Sequence, residues 1–272
     1  MITLINFADN NFVKKQKLNS FSAKWLGKAD KIIEFSPKDI DSNFYIQNKN
    51  ILDIKRGCGL WLWKPYFILK ALKEIRENEY LIYCDSGAIV LRDLRMLTKK
   101  LDQSNQSVML FELPLIECQW TQKSLFDYFK DFSDQLCLAN QIMATFVVLK
   151  KNDISLKFIE KWLALCCNEN LLVFQNNQQH EFFLSHREDQ SILSVLARIK
   201  GIQPFSDPTD YGKFPEKYFA KDRLFKLQSK KPELKIKKPF FLLIRKDNVF
   251  KYWTIYNLKC TLKFFKLYKS II

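Results

Sequence analysis

The stretch Glu79-Tyr-Leu-Ile-Tyr-Cys-Asp-Ser-Gly87 decides the reading of this chain. Five apolar or aromatic residues in a row, Tyr80 to Cys84, form a short run of the kind that makes a strand buried on both faces. The run ends at an acid, a small residue and a glycine. In open α/β sheets, ligands bind outside the carboxyl ends of the strands. A carboxylate at such an end can hold a divalent cation on a diphosphate. Gly87 lets a phosphate or sugar approach the backbone closely. Strand-Asp-x-Gly is also an ordinary turn, so the reading needs support from elsewhere in the chain.

Upstream, Arg56-Gly-Cys-Gly-Leu-Trp-Leu-Trp-Lys-Pro-Tyr66 gathers two glycines, two tryptophans and two cations within eleven residues. Arg56 and Lys64 suit phosphates. Trp61 and Trp63 suit stacking on a base or sugar, and serve equally as core residues leading into a helix. Downstream, Ser185-His-Arg-Glu-Asp-Gln-Ser191 concentrates titratable groups just before a helical stretch. Such groups supply acid–base chemistry, although Asp189 and Ser191 also suit a helix start.

Other segments complete an alternating pattern. Ile2–Phe7, Lys31–Phe35, Ser107–Phe111 and Gln141–Leu149 read as strands. Residues 12–30, Trp63–Glu77, Ser155–Cys166 and Gln190–Ile199 read as helices, with Phe67, Ile68, Ala71, Leu72 and Ile75 at helical spacing. Asn168–Gln179 is polar and amide-rich, a loop. This alternation predicts an α/β fold, a mostly parallel sheet flanked by helices. Internal repeats and low-complexity segments are absent from the sequence.

The chain has 272 residues, enough for one large domain or two small ones. Its net charge of +15 is unevenly placed. Residues 213–272 hold 17 Lys/Arg against 4 Asp/Glu, and residues 1–212 are nearly neutral. The expected division is therefore a catalytic domain over 1–212 and a basic, aromatic C-terminal helical extension over 213–272. In the extension, Ile255, Leu258, Leu262 and Phe265 fall on one helical stripe beside Lys259, Lys263 and Lys266. That is the profile of an anchor lying on an anionic membrane surface. A helix packed on the body with solvated lysines has the same pattern. No apolar run approaches the roughly 18 residues of a membrane span. The N-terminus reads as a strand and lacks signal-peptide character. Seven cysteines without a Cys-x-x-Cys pair, and two histidines, argue against zinc and for reduced thiols, hence a cytoplasmic setting.

Taken together, these motifs resemble those of bacterial glycosyltransferases of capsular polysaccharide and lipopolysaccharide biosynthesis, which have the GT-A fold. The resemblance spans residues 1–212 and is most specific at Arg56–Tyr66 and His186–Ser191. Phe7-Ala-Asp9, Gln119-Trp-Thr121 and Gln141 fit it as well. It implies sugar transfer from a nucleotide-sugar donor to a glycan or lipid-linked glycan acceptor at the inner face of the cell membrane. Asp85 falls where the Asp-x-Asp motif has its first carboxylate, and Gly87 replaces the second. Mg2+ or Mn2+ bound at Asp85 is accordingly an expectation with an incomplete ligand set. The resemblance places Phe7, Asp9, Arg56, Gly59, Trp61, Lys64, Asp85, Ser86, Gly87, Arg187 and Gln190 at the donor, and gives Asp189 and His186 catalytic roles. Two other readings stay open. One is a nucleotidyl or phosphoryl transferase, although no Gly-rich phosphate loop is present. The other is an RNA-binding protein using the tail, which the near-neutral body disfavours, so no nucleic-acid partner is expected.

Overall fold

A computed structural model describes residues 1–131, 133–226, 239–244 and 249–264. A six-stranded sheet forms its centre. The strands are β1 (Ile2–Phe7), β2 (Lys31–Phe35), β3 (Tyr80–Cys84), β5 (Val108–Ile116), β6 (Asn140–Lys150) and β7 (Phe205–Ser206), in the spatial order β2-β1-β3-β6-β5-β7. β1 pairs parallel with β2 and β3, and β7 pairs parallel with β5. β6 runs antiparallel to both of its neighbours. Five strands thus share one direction and β6 is reversed, in keeping with the mostly parallel sheet expected.

The strands are apolar at nearly every position because helices cover both faces. Alternation decides which residue serves which face. Ile5, Leu81, Tyr83, Val147 and Leu149 pack against α2 (Trp63–Glu74), α4 (Asp153–Cys166) and α5 (Glu188–Ile199). Leu4, Ile82, Cys84, Phe146 and Val148 pack on the side of α1 (Val13–Trp25) and α3 (Arg95–Gln103). α4 starts at a reciprocal cap in which Asn152 Oδ1 accepts from Ser155 N and Ser155 Oγ accepts from Asn152 N. α2 begins near Pro65, as read, and ends at Glu74, three residues before the expected end. The expected loop over 168–179 carries one helical turn, Glu169–Leu172.

The chain beyond residue 212 is tied to the body. The boundary read at 212 falls inside a short helix, Asp210–Lys213. Further on, Leu224 N donates to Gln119 Oε1 at 2.6 Å, and Lys226 O accepts from Asn140 Nδ2 at 3.0 Å. β8 (Phe241–Leu243) pairs antiparallel with β4 (Ala88–Val90), the strand that follows Gly87. A final helix, α6 (Val249–Phe264), buries Tyr256 in a cluster with Phe214, Leu242 and Ile244, against which Leu18 of α1 packs. Ile255 and Leu258 are exposed. Phe265 and Lys266 of the expected stripe lie outside the described residues. Among the described residues, no helix is long and apolar enough to cross a membrane.

Candidate active site

The two quoted motifs and the β3 end meet at the carboxyl ends of the parallel strands. β3 delivers Asp85, whose backbone N–H donates to Thr145 O on β6 at 3.0 Å. Tyr83, two residues earlier on the same face of the strand, donates its hydroxyl to Asp85 Oδ1 at 2.5 Å. The first turn of α2 sends in Lys64. Its ammonium, almost wholly buried, stands 3.7 Å from Asp85 Oδ1 and 3.0 Å from Asp189 Oδ2. α5 presents Asp189 from its first turn. Burial pushes the Asp189 carboxyl up to about 7, and Lys64 opposes that shift. Asp85, Lys64 and Asp189 therefore form one charged unit built from three distant parts of the sequence.

A second layer surrounds this unit. Arg56 Nε donates to Glu188 Oε1 at 2.8 Å. Burial raises the Glu188 carboxyl, and Arg56 offsets part of that shift. Arg187 lies 3.8 Å from the Trp120 ring centre and donates to Gln141 Oε1 at 3.2 Å. Gln190 donates to the same Gln141 oxygen at 2.9 Å. The arginine is thereby stacked and steered, a form suited to holding phosphate or sugar oxygens.

The loop preceding α2 is strained. Gly57, Cys58, Gly59, Leu60 and Trp61 all have positive φ, a single left-handed turn closed by hydrogen bonds such as Leu60 N to Arg56 O at 2.9 Å. Left-handed backbone costs roughly 1–2 kcal/mol per non-glycine residue. Glycine is needed at 59 for a second reason: a Cβ there would come within 2.7 Å of Leu52 Cα. Glu188, the partner of Arg56, also has positive φ. Strain of this kind persists only where its surroundings enforce it, and it concentrates at functional sites.

Asp9 is drawn in, accepting from Asn11 N at 3.0 Å and lying 3.6 Å from Cys58 Sγ. Ser86 uses its hydroxyl internally, donating to Phe7 O at 2.5 Å. Gly87 O accepts from Ile244 N at 2.8 Å, so the β8 segment lies against the Asp-Ser-Gly turn. The Phe7 ring is buried, stacked 3.7 Å from Trp63 and 5.8 Å from Phe67, with its side chain in the core. Trp63 is buried as well and donates to Gly57 O at 2.8 Å, whereas Trp61 is half-buried near Arg56.

His186 stands differently from its neighbours. One ring nitrogen accepts from Gln122 N at 3.3 Å and the other lies 3.0 Å from Leu171 O. Burial lowers its pKa to about 4, so the ring is neutral near pH 7. Both nitrogens are engaged with backbone, and the ring ties the loop before α5 to two other loops. Sequence reasoning overlooked Tyr83 and Asn19. Tyr83 was legible from the two-residue period of a strand. Asn19 of α1 donates to Ala88 O at 2.8 Å and braces the turn after Asp85 from across the sheet, which no local pattern announces.

The fold is the GT-A glycosyltransferase fold, with the charged unit at the end of the sheet where such folds take their ligands. The chain is similar to a glycosyltransferase involved in glycosylating the major capsid of PBCV-1, with a TM-score of 0.50 and 11% identity over 94% of this chain and 98% of that one. It also matches mouse xyloside xylosyltransferase 1, with a TM-score of 0.49 and 8% identity over 89% of this chain and 97% of that one. A third match is the glycosyltransferase GlyE of Streptococcus pneumoniae TIGR4, with a TM-score of 0.47 and 15% identity over 99% of this chain and 65% of that one. No protein-family model and no curated protein matches the sequence.

The resemblance also implies a divalent cation at Asp85. The described residues do not fit one. Asp85 offers one carboxylate, Ser86 is turned to Phe7 O, and Gly87 has no side chain to offer. The Lys64 ammonium already stands against both Asp85 and Asp189. Among the described residues, no three His, Cys, Asp or Glu side chains are gathered to hold an ion. The positive charge at this point belongs to Lys64.

Proposed function

We propose that the chain is a glycosyltransferase that moves a sugar from a nucleotide-sugar donor to a growing capsule- or lipopolysaccharide-type glycan at the cytoplasmic face of the membrane. The observation that carries this reading is the Asp85–Lys64–Asp189 unit at the carboxyl ends of β3 and its neighbours, within a GT-A fold. Departure of a nucleoside diphosphate develops negative charge on its phosphate oxygens. Lys64, Arg187 and Arg56 supply the cations that such charge requires. Asp85, the more exposed of the two acids, takes donor hydroxyls. Asp189, held near neutrality, accepts the proton of the attacking acceptor hydroxyl once ionised. The basic region after residue 213, with exposed Ile255 and Leu258, holds the enzyme near a lipid-linked acceptor.

The test is binding and slow hydrolysis of UDP-, GDP-, CMP- and TDP-linked sugars, with and without Mn2+, by wild type and Asp85→Ala. Selective use of one donor, lost in the variant, is the expected outcome. Failure to bind any donor overturns the proposal. The Mn2+ arm reports separately whether Lys64 suffices as the cation.

A further inference from the structure

Helix α1 exposes a stripe that its sequence position hides. Phe21 is 63% exposed and Trp25 is 64% exposed, their rings 6.2 Å apart on one helix face. Leu26 continues the patch. Lys14, Lys17, Phe21, Lys24 and Trp25 are all exposed and follow one another at intervals that return to the same side of the helix, and Lys28, exposed too, lies just beyond its end. The helix contains four lysines and no acidic residue. Lys17 is paired with Glu34, and the Lys24 ammonium lies 3.2 Å from Asp30 O, leaving Lys14 and Lys28 at the two ends of the stripe.

Two large aromatic side chains side by side in water are costly on a soluble surface, and an aromatic patch rimmed by lysines marks a contact surface. Its charge complements an anionic one. Trp and Phe on one face with lysines flanking them match a helix lying in the headgroup layer, where the rings sit at the polar–apolar boundary. A second observation joins this stripe to the C-terminal region. Leu18 of α1 packs on the cluster of Ile89, Phe214, Leu242, Ile244 and Tyr256, to which α6 contributes Tyr256.

We propose that α1 docks the protein on an anionic lipid surface through Phe21 and Trp25, with Lys14, Lys24 and Lys28 reading headgroup charge. This rests on the membrane-face location proposed above and assigns the contact to a part of the chain outside the basic extension.

The experiment uses the full chain and vesicles of phosphatidylcholine, alone or with phosphatidylglycerol. Expected is sedimentation with the anionic vesicles only. Phe21→Ser/Trp25→Ser weakens it about tenfold, through the apolar area withdrawn from the interface. Lys14→Gln/Lys24→Gln/Lys28→Gln weakens it about 100-fold, at about fivefold per lysine. Lipids brominated in the acyl chain quench the emission of wild type more than that of Trp25→Phe, a readout that does not depend on the serine variant folding. Binding of wild type to vesicles with no change in any α1 variant and no Trp25-dependent quenching overturns the α1 assignment while leaving the membrane location standing. Absence of vesicle binding by wild type overturns both. Loss of self-association in the aromatic variant, with lipid binding intact, makes the patch an interface between copies and likewise overturns the proposal. Donor hydrolysis, measured alongside, stays unchanged in all α1 variants, which separates this result from that of the glycosyltransferase reading.

Discussion

The chain builds two clusters from the same ingredients, two aspartates and a lysine, and ties them into the fold differently. Asp85, Asp189 and Lys64 meet at the carboxyl ends of the strands. Asp207, Asp210 and Lys217 meet where the C-terminal region joins the body. In the second cluster, carboxylates are tied to the backbone. Asp207 accepts from Thr209 N and Tyr218 Oη, both at 2.8 Å, and Asp210 accepts from Leu243 N of β8 at 3.1 Å. In the first, Asp189 is met by an ammonium, and among the described residues no backbone N–H is bonded to its carboxylate. Burial raises a carboxyl in both, Asp189 to about 7 and Asp207 to about 6. A raised pKa therefore does not by itself single out the candidate site. What differs is the backbone: Asp207 and Asp210 each accept from a backbone N–H as well as from a side chain, which ties them into the fold, whereas the Asp189 carboxylate meets the side-chain ammonium of Lys64.

The largest effect that tests this contrast is on turnover. Asp189→Asn removes the proton acceptor and is expected to lower donor turnover by about 10^2 to 10^4-fold. Asp85→Asn is expected to weaken donor use as well. Neither variant loses much thermal stability, because Lys64 keeps one carboxylate partner in each. Steady-state kinetics and a melting curve on the same samples check this. Unchanged turnover in Asp189→Asn breaks the comparison at its first term.

The next effect is on stability, with the roles exchanged. Asp210→Ala leaves Lys217 without its buried partner and Leu243 N without its acceptor. Removing one member of a buried ion pair costs about 3–5 kcal/mol, which in a chain of this length lowers the melting temperature by roughly 10 °C. Turnover per folded molecule stays near wild type. A stable but inactive Asp210→Ala would move this cluster into the active site.

Dependence on pH separates the clusters further. Asp207 keeps its proton in the folded state up to about 6, whereas in the unfolded chain it releases it near 4. Between those values the folded state binds the extra proton, so stability falls as pH rises and levels off above about 6. Asp207→Asn flattens this part of a pH series of denaturant midpoints. Asp189 extends the same fall towards pH 7, over the interval in which turnover rises as its carboxyl ionises. Wild type therefore loses stability while gaining activity, and Asp189→Asn removes the activity slope and the stability slope between about 6 and 7, leaving the part due to Asp207. Turnover that falls through pH 7 would assign Asp189 the acid's role.

Much of this arrangement was legible in the sequence, and the exceptions have physical causes. Buried strands announce themselves as apolar runs, so β1, β3 and β6 were readable. Direction was not, since a strand covered on both faces shows the same run whether parallel or antiparallel. Asp85, Lys64 and Asp189 were each identified from their motifs. That the lysine bridges the two acids was hidden, because the contacts span 21 and 125 positions of chain. Phe7 fitted a base pocket by position, and its ring instead lies in the core because Trp63 offers a stacking face. His186 sat among acids in sequence and is held by Gln122 and Leu171 in space. Exposure of Phe21 and Trp25 had no local sign, since their spacing alone is that of a buried helix face.

The smallest expected effects concern the strained turn beside the site, and they run in opposite directions at adjacent residues. Gly57 and Gly59 take the left-handed region, and Cys58, Leu60 and Trp61 share it without being glycine. Cys58 is half-buried at the edge of the core, and its Sγ lies 3.6 Å from Asp9. Cys58→Gly relieves about 1 kcal/mol of backbone strain and gives up little packing, so the melting temperature rises by a few degrees at most. Gly59→Ala adds a methyl group against Leu52 at a φ of 89° and is destabilising by more than about 1 kcal/mol. If the turn's shape is what holds Arg56 against Glu188, Gly59→Ala raises KM for the donor beyond its effect on folding, and Cys58→Gly, by loosening the turn, raises it too despite the gain in stability. A Cys58→Gly variant that is both more stable and better at using donor would show that the strain serves packing alone.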